Sequence, residues 1–177
     1  MRQLPLARRS FLRRKLSVEL SGSFCIYIAL LILLLPLRWF LAVLSAMAVH
    51  ELCHILALMI CRVPIARISL SASGVRLHTR SLSAPEQIIC AAAGPLGGLV
   101  AASLLYKLPC FAFSAFMQSI YNLLPILPFD GGRILAGFCD YLPNRAGKWV
   151  LKTAKALTLL AILSMICWLT IYVKVIN

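Results

Sequence analysis

Apolar residues fill long stretches of this chain, and polar residues gather between them. The first apolar run, Gly22–Leu37, is about 16 residues long, slightly short against the roughly 20 that a membrane crossing takes. The second run is Trp39–Cys61, the third Gln87–Tyr106 and the fifth Ala156–Val173. A fourth starts at Cys110, continues past Leu127 and ends near Cys139. This pattern predicts an all-α polytopic membrane protein with about five transmembrane helices. Residues 1–20 read as a basic arm and residues 21–177 as a single membrane-embedded domain. A basic arm before a short apolar run also describes a signal peptide. Cleavage at the small residues Ala46 and Ala48 would sever the second helix, so that reading is rejected.

The polar loop 62–86 has its own period. Ile68, Leu70, Val75 and Leu77 alternate with Ser69, Ser71, Arg76 and His78, and Ser73-Gly74 lies between the two runs. Alternation broken by a turn pair predicts a β-hairpin beside the membrane, between the second and third helices.

Composition supports the membrane class. Hydrophobic residues make up 62% of the chain, against about 45–50% in soluble domains. Mean hydropathy is +0.92. The 18 basic residues outnumber 5 acidic ones, for a net charge of +13. They sit between the apolar runs, so the positive-inside rule explains them better than nucleic-acid binding. With a cytoplasmic N-terminus and five spans, six basic residues of the arm fall inside, with Arg62, Arg67, Arg76, Arg80, Arg133, Arg145, Lys148, Lys152 and Lys155. Only Arg38, Lys107 and Lys174 fall outside. The expected location is the cell membrane, multi-pass. Seven scattered cysteines form no C-x-x-C pair and read as reduced core residues.

Acidic residues are so few that each one in an apolar run needs a reason. Glu51 lies in His50-Glu51-Leu52-Cys53-His54, the pattern H-E-x-x-H, in the middle of the second run. On a helix His50 and His54 share a face and can reach one metal ion, while Glu51 points about 100° away, toward a water on that metal. Burying three ionisable groups at membrane depth costs several kcal/mol unless they are paired or bound to metal. The competing reading is a hydrogen-bonded cluster that packs helices. A catalytic zinc site takes a third protein ligand and keeps one position open. Glu19, Glu86 and Asp140 lie outside the apolar runs, and His78 lies in the hairpin. Asp130 remains, in Asn122-Leu-Leu-Pro125-Ile-Leu-Pro128-Phe-Asp130-Gly131-Gly132-Arg133. The prolines and glycines there predict a helix broken at membrane depth, tolerated where it lines a wet cavity. His50–His54 fall in the cytoplasmic half of the second span and Asp130 near the cytoplasmic end of the fourth, so the two motifs lie at similar depth.

HELCH in an early span, followed by NLLPILPFDGG in a later one, resembles the site-2 protease family of intramembrane zinc metalloproteases, of the compact sporulation-type bacterial branch. The resemblance covers roughly residues 18–138, including the hairpin and Ala93-Gly94-Pro95-Leu96. It implies a catalytic core of about residues 39–139, with Zn2+ held by His50, His54 and Asp130. It implies that Glu51 is the catalytic base that activates a zinc-bound water, and that Asn122 holds the substrate or the oxyanion. The implied activity is a zinc metalloendopeptidase in regulated intramembrane proteolysis. Its partners would be a membrane-tethered protein substrate, the lipid bilayer and a membrane regulatory partner, with no nucleic acid. The active site would face the cytoplasm. Many relatives carry Asn where this chain has Gly97-Gly98, and that pair reads as helix packing. A scaffold without catalysis and a metal transporter are the competing functions. An intact Glu51 disfavours the scaffold, and the lack of polar residues in the first and fifth runs disfavours the transporter.

Overall fold

A computed structural model describes the backbone of residues 17–71 and 74–176, with side chains except at 161 and beyond 163. The arm up to residue 16, the tip of the hairpin and the side chains of Cys167 and Lys174 lie outside the described residues.

The chain runs β1 (Ser17–Leu20), α1 (Gly22–Leu34), α2 (Leu37–Ile60), β2 (Ile65–Ser71), β3 (Gly74–Thr79), α3 (Ala84–Leu104), α4 (Pro109–Asn122), α5 (Asp130–Cys139) and α6 (Asn144–Ile176). The hairpin forms as the alternation predicts. Leu70 pairs with Val75 and Ile68 with Leu77, and Gly74 takes the positive φ (105°) that the turn demands. The end of the basic arm adds something the alternation did not reveal. Ser17–Leu20 is a strand parallel to β2, with Val18 opposite Ile68 and Leu20 opposite Leu70. Four residues are too short a run to carry a readable period. The Arg67–Glu19 ion pair (3.0 Å) joins the two strands on the polar face.

Helix boundaries follow local chemistry. Pro36 ends the extended link after α1 and starts α2 two residues before the expected Trp39, so Arg38 lies in its first turn. The far end of α2 closes in a Schellman motif: Val63 N–H donates to Leu58 C=O (2.8 Å) and Arg62 N–H to Met59 C=O (3.0 Å). Arg62 takes φ 53° to do so. Leu58 and Val63 pack together in the accompanying apolar contact. Glu86, near the start of α3, accepts from the Ser83 backbone N–H (2.9 Å) and from Arg80 (2.6 and 2.9 Å). These bonds lock the hairpin's exit to the helix.

The fourth run breaks as expected, into two helices, α4 and α5, separated by residues 123–129 with Pro125 and Pro128. The glycine pair does not contribute to the break: Gly131 and Gly132 lie inside α5. The basic stretch between the fourth and fifth runs reads in the sequence as a loop, but Arg145, Lys148, Lys152 and Lys155 form none. They lie on α6, which is 33 residues long and contains the whole fifth run. Their spacing of three and four places them on one exposed face, which a helix accommodates without breaking.

The core lies where α2, α3 and α4 meet, and it is built from small side chains. Ala46, Ala102 and Ala115 close around Phe111. A Cβ on Gly97 would collide with Cys53 Sγ, and one on Gly98 with Ser119 Oγ. The Gly97-Gly98 pair therefore serves close packing, as expected. The large apolar side chains point outward: Leu33 and Ile60 are each 80% exposed, and α1 buries none of its residues. Helices α2 and α3 are long and apolar enough to cross a membrane. In water such uncovered surface would be a liability. Small residues inside and large apolar ones outside is the packing of helices in lipid. At 13 residues α1 spans only about 20 Å.

Candidate metal centre

His50 and His54 are one turn apart on α2, both buried, and both turn Nε2 toward the same point. Asp130, the first residue of α5, meets them from 80 and 76 residues away. Its Oδ2 lies 3.1 Å from each Nε2, and the two Nε2 atoms are 3.1 Å apart. The three form the cluster of potential metal ligands among the described residues.

The break between α4 and α5 delivers Asp130. The loop turns back on itself, with Ile126 N–H donating to Leu124 C=O (2.8 Å) and Phe129 N–H to Ile126 C=O (2.9 Å). It passes so close to α5 that a Cβ on Gly131 would strike the Leu123 carbonyl, and one on Gly132 the Ile126 backbone. The glycines in Asp-Gly-Gly therefore make room for the returning chain. At the N-terminus of α5 the carboxylate also faces the positive end of the helix dipole.

The cluster fits a divalent metal. His54 Nδ1 donates to the Cys90 carbonyl at 2.7 Å, which leaves Nε2 with a bare lone pair in the neutral ring. That lone pair and a carboxylate oxygen repel at 3.1 Å unless a cation or a second proton lies among them. Tetrahedral zinc with ligand distances near 2.05 Å holds its ligand atoms about 3.3 Å apart. The 3.1 Å triangle is within a few tenths of that. Two imidazoles and one carboxylate are a zinc-type donor set with one position left open. The His54–Cys90 bond is the kind of outer contact that orients a ligand ring. His50 Nδ1 is buried with no partner among the described residues.

A cavity of about 940 Å3 opens on the cluster. Glu51 and Asn122 line it with both histidines and Asp130. No hydrogen bond or ion pair joins the Glu51 carboxylate to another described side chain. Asn122, the last residue of α4, donates its amide back to the Gln118 carbonyl (3.1 Å). Trp39, Phe113 and Tyr121 form aromatic wall, and β3 borders another side. The other acids are elsewhere: Glu19 pairs with Arg67, Glu86 with Arg80, and Asp140 caps α5 at the surface. His78 bonds Ser69 (3.0 Å) on the exposed face of the sheet, away from the cluster, as expected.

Two supporting residues carry no sequence signal, and a third, Gly94, is legible only as a small residue. Cys90 acts through its backbone carbonyl, which has no side-chain signature. Gln87, on α3, donates to the Arg133 carbonyl (2.8 Å). Gly94 is the point where α3 passes the ligands: a Cβ there would lie 2.8 Å from His50 Nε2 and would collide with His54 Nε2.

No family model and no curated protein matches the sequence. The solved structure of a site-2 protease from Methanocaldococcus jannaschii does match, with a TM-score of 0.64 and 22% sequence identity. The match covers 84% of this chain and 81% of that one. The architecture that brings His50, His54 and Asp130 together is therefore a site-2 protease fold.

Proposed function

We propose that this chain is an intramembrane zinc metalloprotease that hydrolyses a peptide bond in or next to a transmembrane segment of a membrane-tethered regulatory protein. The observation that carries the reading is the buried His50–His54–Asp130 cluster, which lines a cavity together with Glu51. The fold likeness and the order of the two sequence motifs support it. Assignment to the compact, sporulation-type branch rests on the motifs alone.

His50, His54 and Asp130 would hold the ion. Bound there, zinc would acidify a water toward a pKa of about 7 and polarise the scissile carbonyl. Glu51 takes the proton of the attacking water and passes it to the leaving amine. Among the described residues its carboxylate makes no competing hydrogen bond. Asn122 steadies the developing oxyanion after exchanging its bond to Gln118 for one to substrate. A donor of that kind is worth about 3 kcal/mol in the transition state.

A helical peptide bond is shielded by its own hydrogen bonds, so the substrate segment has to unwind before cleavage, and the edge of β3, which borders the cavity, offers backbone groups for such a strand. We place the protein in the cell membrane as a multi-pass chain, with a cytoplasmic N-terminus and the site toward the cytoplasm, on the distribution of basic residues.

The test compares purified wild type with Glu51→Gln on a panel of membrane-tethered substrates, with bound zinc assayed in both. Zinc in both and cleavage by the wild type alone is the expected result. Zinc in neither would overturn the proposal, because every catalytic role above depends on the metal. A catalytically inert scaffold would bind zinc and cleave nothing with either protein.

A further inference from the structure

One face of α3 serves the ligand cluster at three successive levels. Gly94 admits both imidazoles, the Cys90 carbonyl receives His54 Nδ1 at 2.7 Å, and Gln87 Nε2 donates to the Arg133 carbonyl at 2.8 Å. Positions 87, 90 and 94 are spaced by three and four, so they line one stripe. Helix α5 runs antiparallel along that stripe. Gly137 meets α3 first, where an added Cβ would lie 2.8 Å from Ile88 Cγ1 and 3.2 Å from the Ala84 carbonyl. Arg133 follows one turn back at Gln87, and Asp130 one turn further at the histidines.

The apolar contact at Gly137 and the loop packed on Gly131 and Gly132 bring α5 close to α3, but neither is a directional bond between the two helices. The Gln87–Arg133 hydrogen bond is directional, and it weakens steeply away from its distance and angle. We propose that Gln87 is a positioning residue, whose amide bond to the Arg133 carbonyl sets the height of α5 along α3. That height places Asp130 Oδ2 at the same 3.1 Å from both histidines. The bond lies one turn from Asp130 and touches neither histidine, so it acts on the ligand through the helix backbone. The inference rests on reading the cluster as a metal centre.

The test uses the full chain in detergent, in four forms: wild type, Gln87→Leu, Gln87→Glu and Ile88→Val. Leu keeps the size of Gln87 without a donor, and an ionised Glu accepts but cannot donate. Ile88→Val loosens the same helix contact and keeps the bond. Zinc affinity is measured by chelator competition, and coordination geometry by the visible absorption of the Co2+-loaded protein. Both Gln87 variants are expected to bind zinc about tenfold more weakly, at the low end of losses for outer-shell partners. Their Co2+ bands should shift, while Ile88→Val matches wild type in both measurements. Wild-type affinity and spectrum in the Gln87 variants would overturn the proposal. So would an equal loss in Ile88→Val, which would assign the effect to packing. A wild type that binds no zinc would refute the metal centre itself, a result distinct from either.

Discussion

Gly94→Ala adds one methyl group at the point where α3 passes the two histidines. That methyl would lie 2.8 Å from His50 Nε2 and 2.5 Å from His54 Cε1. A relaxed contact takes about 3.5–4.0 Å, so α3 and the imidazoles must separate by roughly 0.7–1.5 Å. The fold can absorb this. Alanine gains about 1 kcal/mol over glycine in a helix, against an overpacking cost of about 1–3 kcal/mol. The site cannot, because a displacement near 1 Å costs on the order of 100-fold in rate. Gly94→Ala should therefore keep wild-type helicity, lose cleavage about 100-fold and bind zinc more weakly. Circular dichroism, chelator competition and a cleavage assay read these three quantities. Gly22→Ala is the control, since a Cβ at Gly22 meets nothing within 4 Å. Wild-type zinc affinity and cleavage in Gly94→Ala would refute the reasoning, because they would mean that the ligands do not stand where the close approach puts them.

Asp130→Ala should abolish the stabilisation that zinc gives on thermal unfolding. In the wild type, zinc at 100 times its dissociation constant adds about 2.7 kcal/mol, and a chelator removes it. Arg62→Gly should stabilise the protein by about 1 kcal/mol, since a non-glycine residue pays that to hold φ 53°; a lower unfolding midpoint would contradict the Schellman account of the end of α2. Glu86→Ala should cost about 1 kcal/mol through the lost cap at Ser83, with the half-exposed Arg80 pair adding less than that. Its zinc affinity should stay at the wild-type level, since Glu86 touches no ligand.

The parts legible in the sequence are those whose signal lies in side-chain order. HELCH places two imidazoles on one face of any helix it forms, and the alternation in residues 65–79 fixes a hairpin whatever surrounds it. Asp130 could be identified by elimination because the chain has only five acids. The strand at Ser17–Leu20 could not, because four residues beside a basic arm carry no period, and the pairing partner, β2, lies about 50 residues away. The glycines were legible as small residues but not in their roles. Gly131 and Gly132 look like helix breakers until the loop is seen folded against them, and Gly94 looks like helix packing until the imidazoles are placed beside it. Gln87 and the Cys90 carbonyl depend on how far α3 slides along α2 and α5, which no local pattern encodes.

The arrangement of small residues inside and large ones outside also governs how such a chain can diverge. Where Ala46, Ala115, Gly97 and Gly98 let helices touch, any added volume is felt. Where Leu33 or Ile60 faces outward, the position demands an apolar side chain but no particular shape. Leucine, isoleucine, valine, phenylalanine and methionine can replace one another there with little effect on packing. Most of the large apolar residues described lie at such positions, so substitutions accumulate where they alter identity and leave the backbone unmoved. Recognisable sequence likeness in a fold of this kind decays toward a few small residues and a few ligands. Two chains sharing 22% of their residues can then keep the same path through most of their length.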